Sequence, residues 1–334
     1  YVFFPGCQAG AIAPDVVMDA YEDLCARVEG GVGLILGCCG AISEWAGRYE
    51  MTEKVNEQLK QELAKLGDPV IIAGCPSCMK QLKENTGAEV RGIWEILKEI
   101  GLPGKARGLE IPVAIHDACG ARGDTQTQDT IRELLADMGC TVVNTEYSRD
   151  RSPCCGYGGL TAYANKEMAD KMTEKCLERS DCPYITYCMA CRDRFVREGR
   201  ESRHILELLY GINAANMPDI SEKRYNRLEL KEKLLKNIWN EELMMEKKDY
   251  TVAYTEDAIS MMDERMILKS DVERVLSDYR ENQEAIFDEE TKELVTRSRL
   301  GNVTFWVRFV ETEEGYLVRR AYSHRMNIMK RVGQ

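Results

Sequence analysis

Short apolar runs alternate with stretches of helical period through the first two-thirds of the chain. Val2-Phe3-Phe4, Val32 to Leu36, Val70-Ile71-Ile72, Val113-Ala114-Ile115 and Tyr184-Ile185-Thr186-Tyr187 are such β-prone runs. At this length they read as buried strands. Between them, Ala13 to Val28, Glu53 to Leu66, Thr125 to Met138 and Lys166 to Leu177 carry apolar residues at helical spacing. Strand and helix in alternation imply parallel sheets in an α/β fold.

Past a short amphipathic helix at His204 to Tyr210 the pattern changes, and Gly211 to Pro218 reads as a linker. Ser221 to Glu246 places Leu228, Leu234, Leu235, Ile238, Trp239, Leu243 and Met245 in an approximate helical stripe. Ser270-Asp271-Val272-Glu273 has the form of a capping box opening another helix. Val303 to Phe309 and Tyr316 to Tyr322 flank Glu313-Glu314-Gly315 as a β-hairpin. The tail is therefore expected to be a small α+β unit, and three domains follow: 1–104, 105–212 and 219–334.

A chain of 334 residues exceeds one average domain, in keeping with that division. Its 45 basic and 56 acidic residues leave a net charge of −11, which argues against a nucleic-acid partner, since phosphate binding needs clustered Lys and Arg. The longest uncharged stretches, Gly30 to Ser43 among them, have 14 residues, too short for a membrane span. The chain opens at Tyr1 with no basic-then-apolar leader, and the cytoplasm is the expected compartment.

The cysteines sharpen this picture. All 14 lie between Cys7 and Cys191, and the last 143 residues contain none. In a large cytoplasmic protein, clustered thiols indicate metal or redox chemistry more often than structural disulfides. Cys7 is followed after 30 residues by Cys38-Cys39, then after 35 by Cys75-Pro76-Ser77-Cys78. Cys119 is followed after 34 residues by Cys154-Cys155, then after 32 by Cys188-Met189-Ala190-Cys191. Both vicinal pairs continue into glycine, at Gly40 and Gly156. Ten cysteines thus obey one five-cysteine pattern used twice, each falling after an expected strand, where ligands gather in parallel sheets.

A structural zinc is closed by four ligands, so a fifth cysteine per repeat is surplus. Cubane iron–sulfur clusters also take four thiolates, commonly at a short spacing that is absent here. Adjacent cysteines diverge along a strand and more easily serve two irons than one. Five ligands including an adjacent pair therefore favour an open, non-cubane iron–sulfur cluster over zinc.

The doubled pattern, with Phe4-Pro5-Gly6-Cys7 and His116-Asp117-Ala118-Cys119 as its two entries, resembles the CCG cysteine-rich domains of the heterodisulfide reductases. The iron–sulfur subunits of glycolate oxidases and of lactate-utilisation enzymes are relatives of that family. The resemblance covers roughly residues 1–210 and implies two Rossmann-like units. It also implies two non-cubane [4Fe–4S] clusters that together cleave a disulfide. By it, Cys7, Cys38, Cys39, Cys75 and Cys78 hold one cluster, and Cys119, Cys154, Cys155, Cys188 and Cys191 the other. Ala118 stands where the family commonly has proline, and two spacings are slightly short. The four-cysteine ferredoxin-like run that precedes these repeats in the glycolate and lactate enzymes is missing, which favours a separate subunit of an anaerobic complex.

Cys25, Cys140, Cys176 and Cys182 fall outside the pattern and read chiefly as buried thiols. His116 is placed either to donate to a cluster sulfide or to satisfy backbone at a strand end. Arg122, Arg149, Arg151, Arg192 and Arg194 surround the second repeat; a solvated surface is favoured over a substrate-gripping role. Gly30-Gly31-Val32-Gly33 precedes a strand instead of following one and fails the dinucleotide-binding context.

The expected function is that of an iron–sulfur oxidoreductase subunit of heterodisulfide reductase type. Electrons would arrive from a flavoprotein or ferredoxin-like partner and leave to a small disulfide or similar acceptor. The alternative keeps both clusters as a relay for a flavoprotein dehydrogenase acting on a hydroxy acid or other organic substrate. A zinc-stapled interaction protein is a third reading, opposed by the fifth cysteines. For the tail, partner docking and an independent packing cap stand side by side.

Overall fold

The computed structural model of the chain describes residues 1–213, 217–241, 249–300 and 303–324. Leu243 and Met245 of the expected stripe, and 214–216 of the expected linker, lie outside the described residues.

Strands β1 (Val2–Phe4), β2 (Gly33–Leu34), β3 (Ile71–Ala73) and β4 (Val90–Gly92) form a parallel sheet in the order β2-β1-β3-β4. Strands β5 (Val113–His116), β6 (Val142–Val143), β7 (Tyr184–Thr186) and β8 (Ser202–His204) repeat that plan as β6-β5-β7-β8. The α/β expectation of two parallel-sheet units holds. The central strands are apolar because both faces are covered: Val2, Phe3, Phe4, Ile71, Ile72, Val113, Tyr184 and Ile185 are fully buried. Burying each large side chain contributes about 1.5–3 kcal/mol.

Helices Pro14–Arg27, Tyr49–Lys65, Thr125–Asp137 and Lys166–Leu177 supply crossovers. Asp124 and Asn165 start the last two, accepting from the N–H groups of Thr127 and Met168 at 3.0 Å. Strands β4 and β8 were not foreseen. Each holds three residues with an arginine at its centre, so neither shows an apolar run.

The chain divides into two compact units, 1–217 with 226–237, and 218–225 with 238–334. The first contains both sheets. Its boundary differs from the expected one, because part of helix Ile220–Leu234 belongs with the cysteine-rich repeats. The buried positions of that helix are Leu230 and Leu234, not Leu228 or, beyond it, Trp239, which are 41% and 44% exposed. Room for Leu230 comes from Gly10, where a Cβ would meet Leu230 Cδ2 at 3.1 Å.

The second unit is the expected α+β tail. Strands β9 (Thr251–Tyr254), β10 (Ile286–Asp288), β11 (Glu293–Leu300), β12 (Val303–Thr312) and β13 (Gly315–His324) form one mixed sheet, β10-β11-β12-β13-β9. Helices Glu256–Glu264 and Lys269–Asn282 pack Met262, Val272, Val275 and Leu276 against Val307, Phe309 and Val318. The capping box is displaced by two residues. Asp271 accepts from the N–H of Leu268 at 3.1 Å, while Glu273 takes the Tyr225 hydroxyl at 2.7 Å.

Candidate functional site

In each cysteine-rich sheet the chain runs outward from its central strand and returns on that strand's other side. The crevice at the carboxyl ends of β1 and β3, or of β5 and β7, is therefore the topological switch point where ligands collect. Cys7 follows β1, Cys38-Cys39 follow β2 and Cys75 follows β3; Cys119, Cys154-Cys155 and Cys188 take the same places after β5, β6 and β7.

The glycines of the pattern have physical reasons. Gly40 and Gly156 adopt φ of +85° and +90°, a region that L side chains enter only at a cost. The turn aims the Gly40 N–H back at Cys38 Sγ, 3.5 Å away. Gly158 leaves similar room at the second pair, where a Cβ would lie 3.6 Å from Cys154 Sγ. Gly6, at φ +88°, admits the CxxC sulfurs: a Cβ there would lie 3.3 Å from Cys78 Sγ. In both CxxC motifs the first cysteine stands at the N-cap of a helix, Pro76–Thr86 or Met189–Arg197. That is the position where anions are stabilised.

The ten patterned thiols form one continuous row. Cys7 and Cys38, Cys38 and Cys39, Cys39 and Cys78, and Cys78 and Cys75 act on one another's ionisation as neighbours. The same order recurs as Cys119, Cys154, Cys155, Cys191 and Cys188. Cys75 and Cys188 act on each other's ionisation and line one cleft, where the halves meet. Donation from Cys39 and Cys7, then from the Gly40 amide, pulls Cys38 down to about 2. Donation from Cys119 and Cys155, then from amides, does the same for Cys154. Cys7 and Cys119 are pushed upward by those same bonds and by burial. Each half thus holds a thiolate, the ligating form of sulfur, between two donors. A cleft of about 710 Å³ is lined by all five thiols of the first repeat and by Cys119, Cys155, Cys188 and Cys191 of the second. Among the described residues no three Cys, His, Asp or Glu side chains are grouped to hold a lone metal ion.

Neighbouring residues fix this arrangement. Asp117, fully buried, receives two bonds from Arg132 at 2.9 and 2.8 Å, one from the Tyr187 hydroxyl at 3.0 Å and one from the Arg149 N–H at 2.6 Å. Burial opposes its ionisation, but these donors hold the carboxyl below its ordinary range. His116 Nδ1 lies 3.1 Å from Arg179 Nη2 and must accept, since guanidinium only donates. That leaves Nε2 protonated, buried and without a hydrogen-bond partner, so the ring does not satisfy backbone. Burial, then Arg179, pulls its pKa to about 4, with Cys188 and Cys154 among the charges that oppose the shift.

The arginines correct one expectation. Arg192 and Arg194 are buried, because Glu207 lies 3.2 Å from the first and Asp170 2.8 Å from the second. Arg122 and Arg151 are exposed, as expected, and Arg149 is half-buried beside Asp129. Among the unpatterned cysteines, Cys140 and Cys176 are buried and Cys182 is half-buried. Cys25 departs from the expectation: it is exposed, on the solvent side of helix Pro14–Arg27. Asp117, Tyr187 and the cleft-lining Tyr157 were not singled out from the sequence; only the Asp117 neighbour of an entry cysteine hinted at them.

A tandem α/β protein whose thiols gather where its parallel sheets end defines a class. The chain belongs to the CCG cysteine-rich domain family, which it matches twice, over residues 1–83 and 113–195. It is 28% identical over 175 residues to an uncharacterized iron–sulfur protein of Methanocaldococcus jannaschii, covering 50% of this chain and 34% of that protein. A similar iron–sulfur protein of Methanococcus maripaludis is 27% identical over 202 residues, or 57% of this chain and 39% of that one. An EtfAB:quinone oxidoreductase of Syntrophomonas wolfei is 23% identical over 217 residues, 57% of this chain and 30% of that protein. The chain thus spans about a third of the length of the relatives it matches, from 30% to 39%. Among the described residues no helix is long and apolar enough to cross a membrane.

Proposed function

We propose that the chain is an iron–sulfur oxidoreductase subunit of heterodisulfide reductase type, with its ten patterned cysteines holding two non-cubane [4Fe–4S] clusters. The observation that carries this reading is the meeting of two five-thiol rows at Cys75 and Cys188 in one cleft. Five thiols per repeat suit an expanded cluster, and His116, whose ionisation feels Cys188 and Cys154, keeps a buried, unpartnered Nε2–H. Two iron–sulfur relatives point the same way. Such clusters supply one-electron chemistry and, in an open form, a coordination position for substrate sulfur. The chain's own residues orient the ligand set. Cys75 and Cys188 cap helices, Gly40 directs its amide at Cys38, and Asp117 fixes the entry to Cys119. Electrons from a flavoprotein or ferredoxin-like partner would then reach a small disulfide.

A second reading, a relay between a flavoprotein dehydrogenase and another acceptor, is favoured by the likeness to the EtfAB:quinone oxidoreductase. The cytoplasmic location belongs to this proposal and rests on the clustered thiols, which a reducing compartment preserves.

Anaerobically purified protein is expected to contain about eight irons per chain with matching acid-labile sulfide. A panel of thiols, simple and coenzyme-like, is expected to produce a new paramagnetic signal in the oxidised protein. Stoichiometric zinc with little iron would overturn the cluster assignment. No thiol response, together with hydroxy-acid-dependent reduction through the partner, would select the relay.

A further inference from the structure

A second cleft, of about 810 Å³, also reaches Cys7 and Cys38. One wall is the segment 226–237, which belongs to the same compact unit as the cysteine-rich repeats. That wall is firmly seated. Asn226 Nδ2 donates to the Ala11 carbonyl at 2.7 Å, and Leu230 and Leu234 are 1% exposed. Gly10 permits the close approach, since a Cβ there would stand 3.1 Å from Leu230 Cδ2 and 3.9 Å from Arg227 Cγ. With those residues packed inward, Arg227 and Lys231, one helical turn apart, line the cleft opposite Leu36 and Gly37. Among its described lining residues there is no Asp or Glu, although the chain as a whole carries 56. By contrast, Lys233 of the same segment has Glu229 at 3.0 Å. The Arg227 charge acts on the Cys38 sulfur across the cleft.

We propose that this cleft is an anion subsite in which Arg227 and Lys231 hold a carboxylate, or a group of like charge, on a small thiol or disulfide substrate. The substrate's sulfur is thereby directed toward the Cys7–Cys38 end of the first thiol row. The subsite deepens the oxidoreductase reading and rests on it for the identity of the substrate, while anion binding itself is independent of redox chemistry. Two cations without an opposing carboxylate select charge, and the guanidinium fork adds bidentate geometry that a neutral thiol cannot use.

The test uses the full, cluster-loaded chain. Titration calorimetry with glutarate, a sulfur-free dianion, reads the subsite. The visible absorption change with 3-mercaptopropionate against 2-mercaptoethanol reads delivery of sulfur. Glutarate is expected to bind, and Arg227→Gln/Lys231→Gln to weaken it by on the order of tenfold or more. The preference for the carboxylate thiol should vanish with it. Lys236→Gln, an exposed cation of the same segment away from the cleft, should change neither. Glutarate binding that is absent, unchanged in the double variant or equally reduced by Lys236→Gln overturns the subsite. Cation-dependent glutarate binding with no response to either thiol leaves the subsite standing and overturns the redox reading alone. Both substituted side chains are exposed, and an unchanged iron content in the double variant confirms an intact fold.

Discussion

Cys75 and Cys188 meet in one cleft at the boundary between the two repeats, and each stands at the N-cap of the helix that follows it. The two copies therefore place equivalent sulfurs face to face. The two sulfurs differ: Cys75 is held well below the ordinary thiol range by its neighbours Cys188 and Cys78, while Cys188 is pushed up to about 11. A negative charge is thus concentrated on one side of the junction. That charge lies in the cleft lined by thiols of both repeats.

If the ten patterned thiols are ligands, Cys39→Ser and Cys155→Ser should each remove or convert one cluster, lowering iron by roughly half. Cys25→Ser and Cys140→Ser should leave iron intact. The first is exposed; the second is buried and accepts from the Leu109 N–H at 3.4 Å, so its cost is packing alone, about 1–2 kcal/mol. Iron and sulfide analysis of the four variants decides the matter, and equal losses in both classes would show the ligands misassigned.

Asp117→Asn should destabilise the second repeat more than any exposed substitution. The carboxylate answers Arg132, Tyr187 and the Arg149 amide, and removing its charge leaves a largely buried guanidinium uncompensated. A loss on the order of 3 kcal/mol is expected. Denaturant unfolding measures it; a change within experimental error would mean that the arginine finds another partner.

His204 gives stability a pH dependence. It is buried, its Nδ1 accepts from the Leu206 N–H at 3.2 Å, and burial lowers its pKa from 6.5 to about 4. The unfolded chain therefore binds a proton first as pH falls. The stability contributed by the neutral ring is full above 6.5 and lost as pH drops toward 4. Between pH 7 and 5 the loss should be about 2 kcal/mol. His204→Gln should flatten that part of the profile in urea melts; an unchanged slope would assign it to other groups.

The arrangement of the cysteines was legible in the sequence in more detail than the individual strands. Cysteine spacing is covalent information and survives any packing, so the two rows and their order along the sheets were legible, as were the strands VFF and VAI. Strands β4 and β8 were not, because Arg91 and Arg203 interrupt three-residue segments that become strands only by pairing with β3 and β7. Arg192 and Arg194 read as surface residues because their partners, Glu207 and Asp170, are distant in sequence and adjacent only after folding. The seating of 226–237 depended on Gly10, whose missing side chain leaves no periodic signal.

The two CCG glycines, alike in sequence, should respond differently to one methyl group. Both have positive φ, so alanine at either position costs about 1–2 kcal/mol in backbone strain. At Gly40 that is nearly all: a Cβ would find its nearest neighbour, Thr52 Cγ2, at an ordinary 3.5 Å. At Gly156 a Cβ would lie 2.5 Å from the Ala169 carbonyl oxygen, and backbone must move. Thr173 Oγ1 accepts from Arg194 and shares its one proton between that carbonyl, at 2.9 Å, and the Cys155 carbonyl, at 2.8 Å. The displacement therefore reaches the vicinal cysteines through two hydrogen bonds. Gly40→Ala should lower the melting temperature modestly and leave the iron content unchanged. Gly156→Ala should lower it further and reduce iron in the second repeat. Parallel thermal melts and iron analyses compare them, and equal behaviour would mean that helix Lys166–Leu177 yields without disturbing Cys154 and Cys155.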